Sequence, residues 1–291
     1  MRHQKRIGIV GYGYVGRAMY EFFKDHYQVF VYDPAYPRPA LGYDTSPFRA
    51  RDDINQCDIA IVCVPTPSEL DGSCDVSIVE SVISWLETPL ILIKSTVIVG
   101  TTDRLKEENG KRIVFSPEYC GESSYWTPYK FHTDVKETPF FTFGGAPEDT
   151  RECVDLFLPV TGPVKTYRQT TAKAAEMAKY VENTFYATKI MFCYEIASLC
   201  EHLDLDFNEV RELWLLDPRI NPMHTAVFVD NERPFGGKCL PKDLAALISF
   251  AEEQGYTPYF LREVEESNER IGRWRTLARE NQLSDTAKAT V

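Results

Sequence analysis

The chain of 291 residues has eight cysteines, yet no two of them stand in a CxxC pair, and its five histidines do not fall beside them at zinc-ligand spacing. The expectation is therefore no metal and no disulfide. Cys57, Cys63, Cys193 and Cys200 lie in or beside apolar runs and read as reduced packing residues. No apolar run approaches the length of a membrane span, and the polar residues 1–6 pass straight into a strand-like run, leaving no room for a signal peptide. A soluble cytoplasmic protein is expected, with no membrane partner. Basic residues are in deficit, 32 against 43 acidic, for a net charge of −11, which argues against a nucleic-acid surface and leaves room only for a local basic pocket. Proline and glycine are missing altogether from residues 170–203, so nothing interrupts a long helix there.

Hydrophobic residues at 44% and charged residues at 26% are globular values, and the length favours two domains, 1–169 and 170–291. In the first, Ile7-Gly8-Ile9-Val10 leads into Gly11-Tyr12-Gly13-Tyr14-Val15-Gly16 and then a helical pattern through Ala18, Met19, Phe22 and Phe23. In a strand–turn–helix context the first glycine makes the tight turn, the second admits a pyrophosphate to the backbone, and the third lets helix meet strand. A second strand, residues 29–32, ends in Asp33, whose carboxylate suits ribose hydroxyls and repels a 2′-phosphate, so NAD is expected over NADP. Strands at 58–64, 89–94 and 112–115 alternate with helices at 76–86 and 101–108, and a strand, helix and strand follow at 139–144, 147–158 and 164–167. The fold class is α/β: an N-terminal Rossmann-type, doubly wound parallel sheet followed by an all-helical domain with a long central helix. Ligands collect at the carboxyl ends of such strands, which makes Val64, Pro65, Thr66, Ser95, Thr96 and Glu118 candidates; Thr66 and Ser95 serve equally well as turn or cap residues.

The helix at 170–203 has apolar positions too widely spread for one narrow face, so burial by its own domain and by a second copy of the chain is expected. Glu176, Lys179 and Asn183 form a short polar stripe on it, either a solvated face with an ion pair or a donor pair aimed at a reacting oxygen. A helix over 207–215 and a polar loop through residue 233 lead to Gly236-Gly237-Lys238-Cys239-Leu240-Pro241-Lys242-Asp243. Pro241 suits a first helical turn, so Cys239 sits just before a helix N-terminus, where unpaired N–H groups and nearby lysines favour thiolate. Asp243 follows one turn later. Gly236 and Gly237 leave the backbone room to approach whatever the sulfur attacks. A final helix is expected over 259–278.

These residues resemble the UDP-glucose/GDP-mannose dehydrogenase family. The matching stretches are the 11–16 loop with Asp33, Val64-Pro65-Thr66-Pro67 with Asp71-Gly72, Lys94-Ser95-Thr96-Val97, Ser116-Pro117-Glu118-Tyr119, Ala175-Glu176 with Lys179-Tyr180 and Asn183, Asp217 with Arg219-Ile220, and the run from Phe235 to Asp243. Tyr119-Cys120-Gly121-Glu122-Ser123 replaces the family's usual Phe-Leu-x-Glu-Gly. The resemblance implies a Rossmann domain, a helical dimerisation domain, a homodimer through the long helix, and a nucleotide-sugar substrate. The chain stops about fifty residues after Cys239, which implies that the family's third, UDP-binding domain is lacking and that a separate chain could complete that site.

The chemistry so implied is NAD-dependent four-electron oxidation of a sugar primary alcohol to a carboxylate, of the UDP-glucose to UDP-glucuronate type. Asp243, through a water held by Thr96, or Lys179 would take the first proton, and Cys239 would carry a thiohemiacetal and then a thioester. Lys179 and Asn183 would steady the oxyanion. Glu118 would activate the hydrolytic water, with Glu122 as a second candidate. Arg219 would contact sugar or phosphate from the neighbouring subunit. Two other classes stay open: a two-electron NAD-dependent dehydrogenase of small hydroxy acids, which needs no Cys239, and a non-catalytic NAD-binding protein, which needs neither Cys239 nor Glu118.

Overall fold

The computed structural model describes residues 5–36, 46–120, 133–228, 234–237 and 239–272. The chain divides into two compact units, Met1–Pro67 with Cys74–Lys179, and Ser68–Ser73 with Tyr180–Val291. In the first unit, strands β1 (Arg6–Val10), β2 (Gln28–Tyr32), β3 (Ile59–Val62), β4 (Ile91–Ile93), β5 (Ile113–Phe115), β6 (Phe140–Gly144) and β7 (Thr166–Thr170) form one sheet in the order β2-β1-β3-β4-β5-β6-β7. Helices α1 (Tyr14–Phe23), α2 (Arg51–Ile54), α3 (Ser77–Trp85), α4 (Thr101–Asn109) and α5 (Pro147–Thr161) connect them.

Alternation along each strand explains why the sheet is covered on both faces. Ile7, Ile9, Ile61, Leu92, Val114 and Phe143 enter one apolar cluster with Phe22 and Phe23 of α1 and Phe157 of α5. The residues between them, Val10, Ala60, Val62, Ile91, Ile93, Ile113 and Phe115, enter a second with Ile83 of α3 and Leu105 of α4. A strand apolar at every position has no solvent face, as parallel strands between helix layers require. One expectation needs correction: the sheet is not parallel throughout. β1 to β5 are parallel, β6 pairs antiparallel with β5 at Phe115 and Gly144, and β7 is again parallel to β6. Hydrophobic pattern cannot show this, because a doubly buried strand reads alike in either direction.

The long helix is α6 (Ala172–His202). Thr171 Oγ1 accepts from Ala174 N to cap its start. Its end turns through Asp204 at φ 56°, with Leu205 N donating to Cys200 O. The second unit adds α7 (Phe207–Trp214), α8 (Leu240–Glu253) and a helix over 259–272, beyond which the expected continuation to 278 lies outside the described residues. Ala187 and Met191 of α6, Leu244 and Ile248 of α8, Val264 and Phe235 make its central cluster. None of the helices described is long and apolar enough to cross a membrane.

Candidate functional site

Strand order reverses between β1 and β3, so the crevice for a ligand opens at the carboxyl ends of these strands. The loop there is built as a backbone cradle. Gly11 has φ +91°, and a Cβ on it would stand 2.5 Å from Cys63 O; one on Gly16 would stand 2.0 Å from Gly11 O. Both glycines are thus demanded by the protein's own backbone. Gly13 is different: a Cβ there meets none of the described residues within 4 Å, and as the N-cap of α1 it supplies no side-chain acceptor. The first turn of α1 begins at Tyr14 and Val15 directly after this side-chain-free position, and backbone N–H groups at such a helix start suit a pyrophosphate. Asp33 holds this loop in place, Oδ2 accepting from Tyr12 N at 2.6 Å and Oδ1 from Ala35 N at 2.8 Å. Each carboxylate oxygen keeps a further lone pair for a ribose hydroxyl. These residues fit NAD.

Along the same edge the strand-end residues divide by role. Ser95, buried, donates to Val64 O at 2.7 Å, so its hydroxyl ties the end of β4 to that of β3. Thr66 is buried, Thr96 and Val64 half-buried and Pro65 exposed. Glu118, just past β5, is nearly enclosed: Oε1 accepts from Tyr119 N at 2.8 Å and Cys120 N at 2.9 Å, and Oε2 lies 3.2 Å from Lys94 Nζ. Burial alone would push Glu118 up, but the Lys94 charge and the two N–H groups outweigh it and hold the carboxyl below the usual range. Lys94, itself buried, also donates to Pro117 O at 3.1 Å and Ser116 Oγ at 3.3 Å. Sequence reasoning assigned Lys94 no role. A lysine directly after an apolar strand, with Glu118 after the next strand, was the available signal.

The polar stripe on α6 is not a stripe in the fold. Glu176 is fully buried and accepts from Gly100 N at 2.6 Å and Thr102 N at 2.9 Å. It caps α4 from a distance because the N-cap there is glycine, at φ 96°, with no side chain of its own. Neither a solvated face nor an ion pair describes it. Lys179 is half-buried, its Nζ 4.9 Å from the centre of the Tyr119 ring.

In the second unit Cys239 is the N-cap of α8 and exposed, with helical backbone angles and Pro241 in the first turn behind it. Gly237 adopts φ +77°, which the turn demands, whereas Cβ atoms at Gly236 and Gly237 alike would meet none of the described residues within 4 Å. Asp243 donates its backbone N–H to Cys239 O at 2.9 Å, yet its side chain points inward and is 2% exposed. Asn183 Nδ2 donates to Asp243 Oδ2, and Lys242 Nζ lies 2.6 Å from Oδ1 without hydrogen-bond alignment. One amide hydrogen of Asn183 is thereby occupied and one remains. A residue missed by sequence reasoning, Asn268, is buried and clasps Phe235 twice, accepting from its N at 3.0 Å and donating to its O at 3.1 Å. It anchors the stem of the Cys239 loop. Arg219 is exposed and bonded to Asp217, which holds Asp217 below the usual carboxylate range. Glu122 and Lys238 lie outside the described residues.

A dinucleotide cradle at the switch point of a Rossmann-type sheet, followed by a helical unit with an exposed cysteine at a helix head, defines a class of NAD-linked proteins. Comparison with known proteins narrows it. Residues 45–135 match the NAD binding domain, and residues 173–270 the central domain, of the UDP-glucose/GDP-mannose dehydrogenase family. UDP-glucose 6-dehydrogenase AglM of Haloferax volcanii is 31% identical over 244 residues, covering 75% of this chain and 54% of that protein. UDP-glucose 6-dehydrogenase of Pseudomonas aeruginosa is 33% identical over 230 residues, covering 73% and 49%. A UDP-glucose dehydrogenase structure from Pyrobaculum islandicum superposes with a TM-score of 0.79 at 25% identity, over 97% of this chain and 72% of that one. The chain belongs to the UDP-glucose/GDP-mannose dehydrogenase family, and NAD is its cofactor. It spans about half the length of the curated relatives it matches.

Proposed function

We propose that the protein oxidises the primary alcohol of a nucleotide sugar to a carboxylate, of the UDP-glucose to UDP-glucuronate type, through a thioester on Cys239. The observation that carries this reading is the exposed thiol at the head of α8, four residues before a buried carboxylate held by an amide and an ammonium. A two-electron hydroxy-acid dehydrogenase has no use for that thiol. NAD supplies the oxidising power by accepting hydride at each of two oxidations. Lys179 or Asp243, the latter through a water at Thr96, takes the alcohol proton in the first. The sulfur of Cys239 then bonds to the aldehyde carbon, and the second oxidation leaves a thioester that cannot escape as aldehyde. The remaining amide hydrogen of Asn183, with Lys179, steadies the carbonyl oxygen as negative charge develops, an effect worth roughly 3 kcal/mol per donor in a dry site. Glu118 takes a proton from the hydrolytic water. Gly236, Gly237, Arg219 and Glu122 are the remaining substrate-contact candidates, and a separate chain supplying further nucleotide contacts is compatible with this scheme.

Stoichiometry tests it. With UDP-glucose as substrate, and GDP-mannose and small hydroxy acids as comparators, two NADH should form per sugar consumed. One NADH per substrate would support the two-electron rival, and none with any substrate a binding protein. We also propose that the working unit is a homodimer joined through α6, whose exposed side carries Val181, Phe185, Phe192, Leu199 and Leu203, each more than half exposed.

A further inference from the structure

A buried ion pair beside a hydrolytic base has consequences for that base that no neighbouring neutral group can supply. The Lys94 and Glu118 side chains are 2% and 8% exposed, both sit at the ends of adjacent parallel strands, and their charged atoms are 3.2 Å apart. We infer that Lys94 is a positioning residue for the hydrolytic step, holding Glu118 ionised and oriented so that Oε2 faces the water that attacks the thioester. This deepens the proposed function and rests on its assignment of Glu118 as base.

The geometry separates the two carboxylate oxygens. Oε1 is fully engaged by Tyr119 N and Cys120 N, so it fixes the orientation of the group. Oε2 is buried, in charge contact with Lys94, and receives no aligned hydrogen bond from the described residues, so as an enclosed acceptor it suits a bound water. Lys94 is prevented from swinging away by the bonds its ammonium donates to Pro117 O and Ser116 Oγ. The other titratable groups around this pair are the thiols of Cys63 and Cys120, the Lys179 ammonium and, beyond Cys120, the Asp134 carboxylate. Burial pushes the Cys63 thiol, at the end of β3, up to about 12, and burial together with the Glu118 charge pushes the Cys120 thiol up as well. Lys179 stands over the Tyr119 ring. Lys94 is the cation that opposes the burial of Glu118, since it heads the influences that lower that carboxyl.

In the step itself, water oxygen bonds to the acyl carbon, the C–S bond breaks, and Cys239 leaves with the electron pair. One water proton goes to Glu118 and from there to the sulfur or to solvent, so carboxylic acid and thiol result and nothing is oxidised or reduced. A carboxyl that kept its proton at neutral pH, as a buried one without a cation would, could not accept another.

The test uses Lys94→Met. In carboxyl-¹³C NMR of the full chain, the Glu118 resonance should titrate about 1–3 units higher in the variant than in the wild type, the range for losing an adjacent opposite charge. Hydrolysis of the Cys239 adduct formed with UDP-glucose and NAD should fall with decreasing pH in the variant over a range where the wild type is flat, and Lys94→Arg should restore much of the wild-type profile. An unshifted Glu118 resonance would overturn the inference, and so would a shifted resonance with an unchanged hydrolysis profile. Because removing one partner of a buried pair destabilises the fold, the neutral double variant Lys94→Met/Glu118→Gln serves as control. If it folds like the wild type and stalls at the adduct, the role is chemical; if its hydrolysis is intact, neither residue acts in the step. A Lys94→Met resonance shift as stated, with no adduct formed by Glu118→Gln from UDP-glucose or GDP-mannose, would instead sink the proposed function, together with the hydrolytic part of this inference.

Discussion

The strand edge of the first unit and the helix head of the second carry their chemistry in opposite ways. At the edge, Asp33, Ser95, Lys94, Glu118 and Glu176 each have polar atoms bound to backbone or to a counter-charge within the unit. In the second unit Cys239 and the apolar side of α6 lie exposed at the surface. Groups of the first kind are set before any ligand arrives, so altering them should disturb stability and titration. Groups of the second kind lie at the surface, so altering them should abolish a reaction or an association while leaving the fold alone.

The sharpest way to break this contrast is Cys239→Ser. An un-ionised serine hydroxyl is a far poorer nucleophile than a thiolate, so no thioester forms and net conversion to acid should fall by several orders of magnitude. Because the side chain is exposed, thermal stability should match the wild type within the ±0.5 kcal/mol usual for surface changes. Intact-protein mass spectrometry after incubation with UDP-glucose and NAD should show a sugar adduct in Glu118→Gln and none in Cys239→Ser. Unimpaired acid production by the serine variant would remove the covalent mechanism.

A smaller effect is expected on the apolar side of α6. Placing glutamates at Phe185 and Phe192 puts charge where burial against a second copy is proposed. A wild-type dimer should become monomeric in sedimentation, with the monomer's melting curve little changed because neither ring is buried within the chain. A wild-type monomer, or a double variant that sediments as a dimer, would refute association through this face.

How much of this was legible in sequence depends on how far apart the partners lie. The glycine loop, Asp33, the uninterrupted α6 and the Pro241 helix start follow from local patterns within one or two turns of chain, and all are present where expected. The Lys94–Glu118 pair required knowing that β4 and β5 are neighbours with Ile93 opposite Phe115. Glu176 reaches Thr102 N across 74 positions, and Asn268 reaches Phe235 across 33, so no spacing rule connects them. The antiparallel turn at β6 left no trace in composition. Asp243 shows the subtlest failure: helical spacing placed it below Cys239, but only packing decides that its side chain turns inward to Asn183.

Glu176 gives the finest test of the contrast, because two effects oppose each other there. Burial, helped by the nearby Asp103 charge, raises its carboxyl pKa above the ordinary 4.5, while the hydrogen bonds from Thr102 and Gly100 pull it down; burial prevails. A folded-state pKa above the unfolded one means the fold favours the protonated form. That contribution is fully present below about 4.5 and is lost as pH rises through the raised folded value. Glu176→Gln cannot ionise and so lacks this dependence, but it turns an amide donor toward one of the two backbone N–H groups, an unsatisfied buried donor worth about 1–3 kcal/mol. The variant should therefore be less stable than the wild type near pH 5, and the gap should narrow towards pH 8. Chemical denaturation of both proteins across that range measures the gap directly, since every other titrating group is shared. A gap that widens with rising pH would mean that the hydrogen bonds from Thr102 and Gly100 outweigh burial, and that Glu176 is stabilised as a carboxylate in the way Lys94 stabilises Glu118.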